Sequence, residues 1–214
     1  MKTVYFVRHG ESETNAGNVQ GASESPLTEK GRKQAEFIAR RAEALPIEVV
    51  VSSTYTRAVQ TAEIIKGRTG KGVVHSDLFV ERRRPSEQIG LRKDSSEWRK
   101  IEREVVNNFA VPGWRYSDEE NLEDLIERAG QALSFLVERS EEHILVVTHG
   151  GFMRVVAAQV LMGKKCTLEV GDRFMKKFHM ANTGLSVIRH DETEQSKDSP
   201  WFLWIWNDHA HLGE

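Results

Sequence analysis

Short apolar runs alternate with amphipathic helical patterns along most of this chain, and no other property narrows the possible folds as much. Residues 3–7, 47–53 and 143–148 are nearly continuous runs of β-branched and other apolar residues, which is typical of strands buried on both faces. A segment whose apolar residues are spaced as in an amphipathic helix follows each of these runs. The alternation therefore predicts an α/β fold with three α/β/α layers around a mostly parallel central sheet.

The predicted boundaries come from capping residues and helix breakers. We expect a helix within residues 26–45, capped by Thr28 and ended by Pro46, and a second over residues 54–67, closed by Gly67. Further predicted elements are a weak strand at 72–76, helices at 119–139 and 152–163, strands at 184–190 and 201–207, and a polar turn between these two strands from Asp191 to Pro200. The apolar strand at 201–207 is interpreted as an edge strand that fills the core, or one that a homodimer would cover.

The length of 214 residues favours one domain over two. Residues 82–117 break the regular alternation, since they are rich in charge and hold one stretch of helical character. We interpret them as a helical insertion over the active site of a single domain spanning residues 1–214.

Composition excludes several function classes. Thirty Lys and Arg residues against 32 Asp and Glu residues give a net charge of −2, which offers no general attraction for nucleic acid or an anionic membrane. The single cysteine, Cys166, cannot form an internal disulfide, and the opening residues do not form a secretory leader. No apolar run is long enough to span a membrane. We therefore expect a soluble cytoplasmic protein.

Two of the apolar runs end in the same way, with a histidine followed by a glycine. Residues 4–10 read VYFVRHG and residues 144–150 read ILVVTHG. The carboxyl ends of parallel strands meet at one edge of a sheet, where ligands bind. We therefore expect three groups to converge there: Arg8 with His9, Arg57 from the helix after the second strand, and His149 with Gly150, whose missing side chain permits close backbone approach.

Two arginines beside two histidines favour a phosphoryl group as the ligand. The guanidinium fork binds two phosphate oxygens at once and keeps its charge, and histidine can act as a donor or as a nucleophile. Each residue alone is as readily explained as a structural residue, so the prediction depends on their coincidence. Because the arginines would repel a cation, we predict phosphoryl transfer with no metal and no cofactor.

These motifs resemble the signature of the histidine phosphatase superfamily, also called phosphoglycerate mutase-like. The resemblance begins at VRHGESETN (7–15) and covers nearly the whole chain in order through five further stretches: SPLTEKGRKQA (25–35), SSTYTRAVQTA (52–62), LFVER (78–82), VVTHGG (146–151) and NDHAHL (207–212). It implies that His9 is the nucleophile that forms a phosphohistidine and that Arg8 and Arg57 clamp the phosphate. It also implies that His149 and Asn15 contact the same group.

The resemblance implies that Glu81 is the proton donor to the leaving group. A carboxyl with this task needs its pKa raised to about 6–7 by burial or by neighbouring groups, so we expect such a shift at Glu81. Two alternatives remain open: Glu81 could be a surface charge paired with one of the three arginines at positions 82–84, and Glu87 could be the acid instead.

The reaction predicted is hydrolysis of a small phosphomonoester, and the family resemblance implies two alternatives. Members of the mutase branch have HGNSLR after the second histidine, whereas this chain has HGGFMR, which favours a phosphatase over a cofactor-dependent phosphoglycerate mutase. The other alternative is a domain that binds phosphorylated ligands without turnover. Four aromatic residues of the insertion either face the substrate or pack the insertion onto the domain: Trp98, Phe109, Trp114 and Tyr116.

Overall fold

A central sheet of six strands organises the computed structural model, which describes residues 1–193 and 199–213. The strands are β1 (Lys2–Arg8), β2 (Val49–Ser52), β3 (Val73–His75), β4 (His143–Thr148), β5 (Leu185–His190) and β6 (Trp201–Asp208). Their order in the sheet is β3-β2-β4-β1-β5-β6. Strands β1 to β4 are parallel, while β5 is antiparallel to both β1 and β6. The middle of the polar turn predicted from Asp191 to Pro200 lies outside the described residues.

Helices cover both faces of this sheet. The helices of the described chain are α1 (Glu13–Ala16), α2 (Glu29–Glu43), α3 (Thr56–Thr69), α4 (Ser96–Asn108), α5 (Leu122–Glu138), α6 (Gly150–Met162) and α7 (Leu168–Lys177). Because strand side chains alternate between faces, Val4 and Phe6 of β1 join a core with α5 and α6, whereas Tyr5 and Val7 join one with α2 and α3. The predicted three-layer fold with a mostly parallel sheet is confirmed.

The register of the sheet brings the ends of three strands together. β1 lies between β4 and β5, and Arg8 pairs with Thr148 at the carboxyl edge. On the other side of β4, Ser52 of β2 pairs with Val147. The residues that follow these strands, including His9, Ser53 and His149, therefore leave the sheet at the same edge.

Two expectations about helices were wrong or incomplete. Helix α3 continues through Gly67 to Thr69, and its C-cap is Gly70, which adopts the left-handed conformation at φ 68°. A glycine inside a helix is tolerated at a modest cost, so the cap falls where the chain turns. Helix α7 was not predicted, although Thr167 caps it through a hydrogen bond from the Val170 N–H.

The segment 82–117 holds a 3₁₀ turn (Ser86–Gln88) and helix α4. Helix α4 buries Ile101 and Val105, and Phe109 at its end belongs to the core of the α5 and α6 face. Strand β6 forms one edge of the sheet, with Trp201 buried and Trp204 58% exposed. Within the described part of the chain, every helix is too short or too polar to cross a bilayer.

Candidate active site

A cavity of about 490 Å³ opens at the carboxyl edge of the sheet. Six of the seven candidate residues line it: Arg8, His9, Asn15, Arg57, Glu81 and Gly150. The seventh, His149, is fully buried beside it, and its ring centroid is 5.0 Å from that of His9. The sheet register explains this meeting, because β1 and β4 are neighbours and both histidines follow directly after them.

His9 is held with its proton on one defined nitrogen. Its Nδ1 lies 2.6 Å from the carbonyl oxygen of Gly10, which can only accept, and its Nε2 lies 3.2 Å from Nε of Arg57, which can only donate. The proton is therefore on Nδ1 and the lone pair on Nε2. Burial, followed by the electrostatic effects of His149, Arg57 and Arg8, lowers the pKa of His9 well below its usual value. The ring is thus neutral at physiological pH.

His149 contacts Ser53 instead of a charged partner. Its Nε2 lies 2.8 Å from the Ser53 hydroxyl, which also accepts a hydrogen bond from the backbone N–H of Tyr55. Its Nδ1 is buried and has no hydrogen-bond partner among the described residues. Burial and then the charges of Arg57 and Arg8 lower the pKa of His149 well below its usual value. This ring is therefore also neutral near pH 7.

The guanidinium groups of Arg8 and Arg57 are held by backbone carbonyls. Arg8 Nη1 donates to the carbonyl of Met180 at 2.5 Å, and Arg57 Nη1 donates to the carbonyl of Ala22 at 3.2 Å. Arg8 Nε is buried without a partner in the described part of the chain. Burial lowers the pKa of both groups from a very high starting value, so both remain cations. Fixed cations with unused N–H donors are suited to binding an anion.

Glu81 lies against the first turn of α6. Its carboxylate accepts hydrogen bonds from the backbone N–H groups of Gly151 at 3.0 Å, Phe152 at 2.9 Å and Arg82 at 3.0 Å. Burial alone would raise the pKa of this carboxyl, but the three hydrogen bonds and the charge of Arg57 together hold it below its usual value. The expectation of a raised pKa was therefore wrong, and Glu81 is ionised at neutral pH in this arrangement.

The two candidate acids, Glu81 and Glu87, lie in different surroundings. Glu81 lines the cavity and bonds to backbone groups, not to the guanidinium of a neighbouring arginine. Glu87 is exposed, accepts a hydrogen bond from the Ser117 hydroxyl at 2.7 Å, and does not belong to the described residues that line the cavity. Of these two carboxylates, only that of Glu81 lines the cavity in the described part of the chain.

The three consecutive arginines have different environments. Arg82 is buried, forms an ion pair with Glu119 and stacks over the ring of Phe109 at 4.0 Å. Arg84 forms an ion pair with Glu102 at 2.5 Å. Arg83 is exposed and lines the cavity, and its side chain has no ion-pair partner within the described residues. All three therefore line the cavity, but Arg82 and Arg84 are held in ion pairs and only Arg83 is exposed.

The aromatic residues of segment 82–117 do not face the pocket. None of the four is among the described residues that line the cavity, and Phe109 is buried in the core of the α5 and α6 face, as the packing interpretation expects for that residue. From residues 82–118 the cavity instead receives Arg82, Arg83, Arg84, Ser86, Ile89, Lys93 and Asp118. This rim is therefore mostly polar and basic, and Phe109 is buried beneath Arg82.

Sequence analysis missed several residues that hold the site together. Ser53 contacts His149, Tyr55 packs edge-on against the same ring at 5.2 Å, and the Thr61 hydroxyl accepts a hydrogen bond from the Gly10 N–H at 3.1 Å. Arg154 of α6 also lines the cavity. Thr61 lies one helical turn after Arg57 and Arg154 one turn after Gly150, a spacing that could have indicated their shared faces.

Comparison with known proteins gives a consistent result. Residues 4–200 match the family described as the histidine phosphatase superfamily, branch 1. A relative from Cronobacter sakazakii named "Probable phosphoglycerate mutase GpmB" is 31% identical, with 99% of this chain and 95% of the relative covered. The solved structure of YhfR from Bacillus stearothermophilus is 28% identical, with a TM-score of 0.82 and 99% and 100% of the two chains covered.

A further solved structure supports the fold alone. It is a mycobacterial glucosyl-3-phosphoglycerate phosphatase that is 21% identical, with a TM-score of 0.77 and 97% of this chain and 99% of the other covered.

Proposed function

Because the chain belongs to branch 1 of the histidine phosphatase superfamily, we propose that it hydrolyses small phosphomonoesters through a phosphohistidine at His9, without a metal ion. The observation that carries this proposal is the state of His9, whose unprotonated Nε2 lies beside two cationic guanidinium groups. A cation would be repelled by those same arginines, whereas a phosphate dianion would be attracted.

In the first step the Nε2 lone pair of His9 attacks phosphorus. The substrate displaces the Arg57 Nε–H from this lone pair, and Arg8 and Arg57 then bind the phosphoryl oxygens. If the Ser53 hydroxyl donates to Nε2 of His149, the proton of His149 is on Nδ1, where it can be donated to the same oxygens. The N–P bond forms as the bond from phosphorus to the leaving oxygen breaks.

The leaving oxygen needs a proton, and Glu81 is ionised before substrate binds. The second pKa of a phosphomonoester is about 6, so part of the substrate enters as the monoanion and carries a proton with it. A bound dianion also disfavours a second negative charge nearby, which raises the pKa of Glu81. By either route one proton is shared between phosphate and Glu81 and passes to the leaving alcohol.

In the second step water hydrolyses the phosphohistidine. The Glu81 carboxylate accepts a proton from the water as its oxygen attacks phosphorus, the N–P bond breaks, and its electron pair returns to Nε2 of His9. Inorganic phosphate then leaves. The ionised state of Glu81 suits this step directly.

The basic rim favours substrates with a further negative charge. Arg83 has no ion-pair partner within the described residues, and Lys93 and Arg154 line the same cavity. Among the described residues that line the cavity, only two are acidic, Glu81 and Asp118. We therefore propose a small phosphorylated metabolite that carries a second anionic group.

Phosphoglycerate mutase activity is the second candidate, because the curated relatives carry that name. A mutase returns the phosphoryl group of His9 to a phosphoglycerate instead of to water. Incubating the protein with 3-phosphoglycerate and 2,3-bisphosphoglycerate separates the two reactions: a phosphatase releases inorganic phosphate, and a mutase yields 2-phosphoglycerate with little release.

The decisive experiment is hydrolysis of p-nitrophenyl phosphate in the presence of EDTA, with His9→Ala as the test variant. We expect hydrolysis by the unaltered protein, loss of hydrolysis in His9→Ala, and normal hydrolysis in the control His75→Ala, which removes an exposed histidine. Rapid quenching in alkali should trap a phosphorylated protein only when His9 is present. Full activity in His9→Ala would reject this nucleophile, and no activity in the unaltered protein towards any phosphomonoester would favour the non-catalytic alternative.

A further inference from the structure

The turn between α7 and β5 lies directly against the end of β1. The backbone N–H of Thr183 donates to the carbonyl of Arg8 at 2.9 Å, and the N–H of Arg8 donates to the carbonyl of Gly184 at 3.3 Å. Thr183 has φ 57°, and a β-branched residue in the left-handed region is a strained outlier. Such strain is retained only where the surrounding contacts impose it.

Two residues from the C-terminal region impose this turn. Oδ1 of Asn207 accepts a hydrogen bond from the Ala181 N–H at 2.8 Å, and the Thr183 hydroxyl lies 3.0 Å from Nε2 of His211. The turn is thus fixed from both sides, by β1 and by the end of the chain. Asn182 lies between the two residues of the turn that these contacts hold, Ala181 and Thr183.

The side chain of Asn182 reaches two parts of the active site. Its Nδ2 donates to the carbonyl of His9 at 3.0 Å and to Oδ1 of Asn15 at 3.3 Å. It thereby connects the residue proposed as nucleophile to helix α1, which carries Asn15. No motif in the sequence marked Asn182, since it lies 173 residues from His9 along the chain.

These contacts decide which way the Asn15 amide faces. The atom that accepts from Asn182 also lies 3.3 Å from the backbone N of Ser12 and 3.2 Å from the Ser12 hydroxyl. A backbone N–H can only donate, so this atom must be the amide oxygen. The NH₂ group of Asn15 then lies on the opposite side, where it has no acceptor among the described residues, in a side chain that lines the cavity.

We propose that Asn182 is a positioning residue that holds the Asn15 amide with its two N–H donors facing the phosphoryl group. The proposal rests on the proposed function in so far as a phosphoryl group is the ligand. Without the Asn182 donor, the Asn15 oxygen keeps only its two contacts with Ser12, so the amide is held less firmly and turns its oxygen towards the anion more often. Oxygen facing a phosphate oxygen is repulsive, whereas an N–H donor is attractive.

The test is a double-mutant cycle on the binding of inorganic phosphate, measured by isothermal titration calorimetry. We expect Asn182→Ala and Asn15→Ala each to weaken binding about tenfold, the size expected for one lost hydrogen bond to a charged ligand. In the double variant we expect binding within about twofold of Asn15→Ala alone, because Asn182 acts through Asn15. The control Asn108→Ala, at the end of α4 and not among the described residues that line the cavity, should bind as the unaltered protein does.

Two results would overturn the proposal: unchanged phosphate binding in Asn182→Ala, or the same further tenfold loss when Asn182→Ala is added to Asn15→Ala. If thermal unfolding shows that Asn182→Ala does not fold, Asn182→Ser replaces it in the cycle with the same criteria. Phosphate binding requires no turnover. Absence of hydrolysis by the unaltered protein would therefore reject the proposed function and leave this cycle interpretable.

Discussion

His9 and Glu81 are both buried, but their hydrogen bonds lead to different charge states. Burial lowers the pKa of His9, and the neighbouring cations lower it further, so the ring is neutral and nucleophilic. Burial would raise the pKa of Glu81, but three backbone N–H groups outweigh this effect and keep it ionised. The chemistry therefore begins with an unprotonated base at each of the two positions.

The role proposed for Glu81 predicts a dependence on the leaving group. Glu81→Gln should lower kcat for a poor leaving group such as β-glycerophosphate by about 10²–10⁴-fold, because the alkoxide then leaves without a general acid. The loss should be much smaller with p-nitrophenyl phosphate, whose phenolate needs little protonation. Steady-state kinetics with both substrates provides the measurement, and equal losses would remove Glu81 as the acid.

The close contact between Gly151 and Glu81 leads to a second prediction about the Glu81 carboxylate. A Cβ at this position would lie 2.5 Å from Oε1 of Glu81, so Gly151→Ala should displace the carboxylate and reduce kcat for β-glycerophosphate. Gly130→Ala is the matched control, since its Cβ would meet nothing within 4 Å in the middle of α5. There alanine should stabilise the helix by about 0.5–1 kcal/mol and leave kcat unchanged. A fully active Gly151→Ala would mean that the carboxylate position is not critical.

At the scale of elements, the strand ends and the segment 82–117 contribute different parts of the candidate site. The ends of β1, β2 and β4 supply or lead to the two histidines and two arginines, while the segment forms the rim. Arg82 attaches this segment to the core through Glu119 and Phe109, and Arg83 beside it faces the cavity. Arg82 and Arg83 are therefore expected to affect different properties, the first stability and the second substrate binding.

Alanine substitution should lower stability at Arg82 and weaken substrate binding at Arg83. Arg82→Ala leaves Glu119 buried and unpaired, so the free energy of unfolding should fall by about 3–5 kcal/mol. Arg83→Ala should change that free energy by less than about 0.5 kcal/mol but raise KM for a substrate with a second anionic group. Urea denaturation and steady-state kinetics on both variants check this, and an unchanged KM in Arg83→Ala would argue against the proposed substrate class.

At the scale of the whole molecule, burying two neutral histidines makes stability depend on pH. The pKa values of His9 and His149 are well below about 6.5 in the folded protein, so below pH 6.5 the unfolded chain binds more protons than the folded one. The free energy of unfolding therefore falls as the pH decreases below about 6.5. Above that pH these two histidines cause no further change in it. Each contributes a slope of up to about 1.4 kcal/mol per pH unit.

Urea denaturation at pH 5, 6 and 7.5 measures this dependence. The slope between pH 5 and 6 should be smaller in His149→Gln, which cannot take up a proton, even if that variant is less stable at every pH. An identical slope in the two proteins would show that His149 is not the source of the effect.

Much of the fold followed from local patterns. Continuous apolar runs identified β1, β2 and β4 because strands buried on both faces need apolar residues throughout. Helix ends were less predictable: Gly67 was taken as a cap because glycine often ends helices, but the chain turns at Gly70. Helix α7 has a clear amphipathic pattern, because Leu168, Phe174 and Met175 lie on its less exposed face, and it was overlooked in the sequence analysis.

The sequence by itself determined the layered sheet, the family and the residue types gathered at one sheet edge, because hydrophobic periodicity and short motifs are properties of neighbouring residues. Only the tertiary structure decided the lowered pKa of Glu81, the separation of Arg82 from Arg83 and the place of Asn182 behind Asn15. These depend on contacts between residues far apart in the chain, such as Glu81 with Gly151 and His9 with Asn182. Burial and hydrogen-bond geometry set charge and orientation, and neither is encoded in a local stretch.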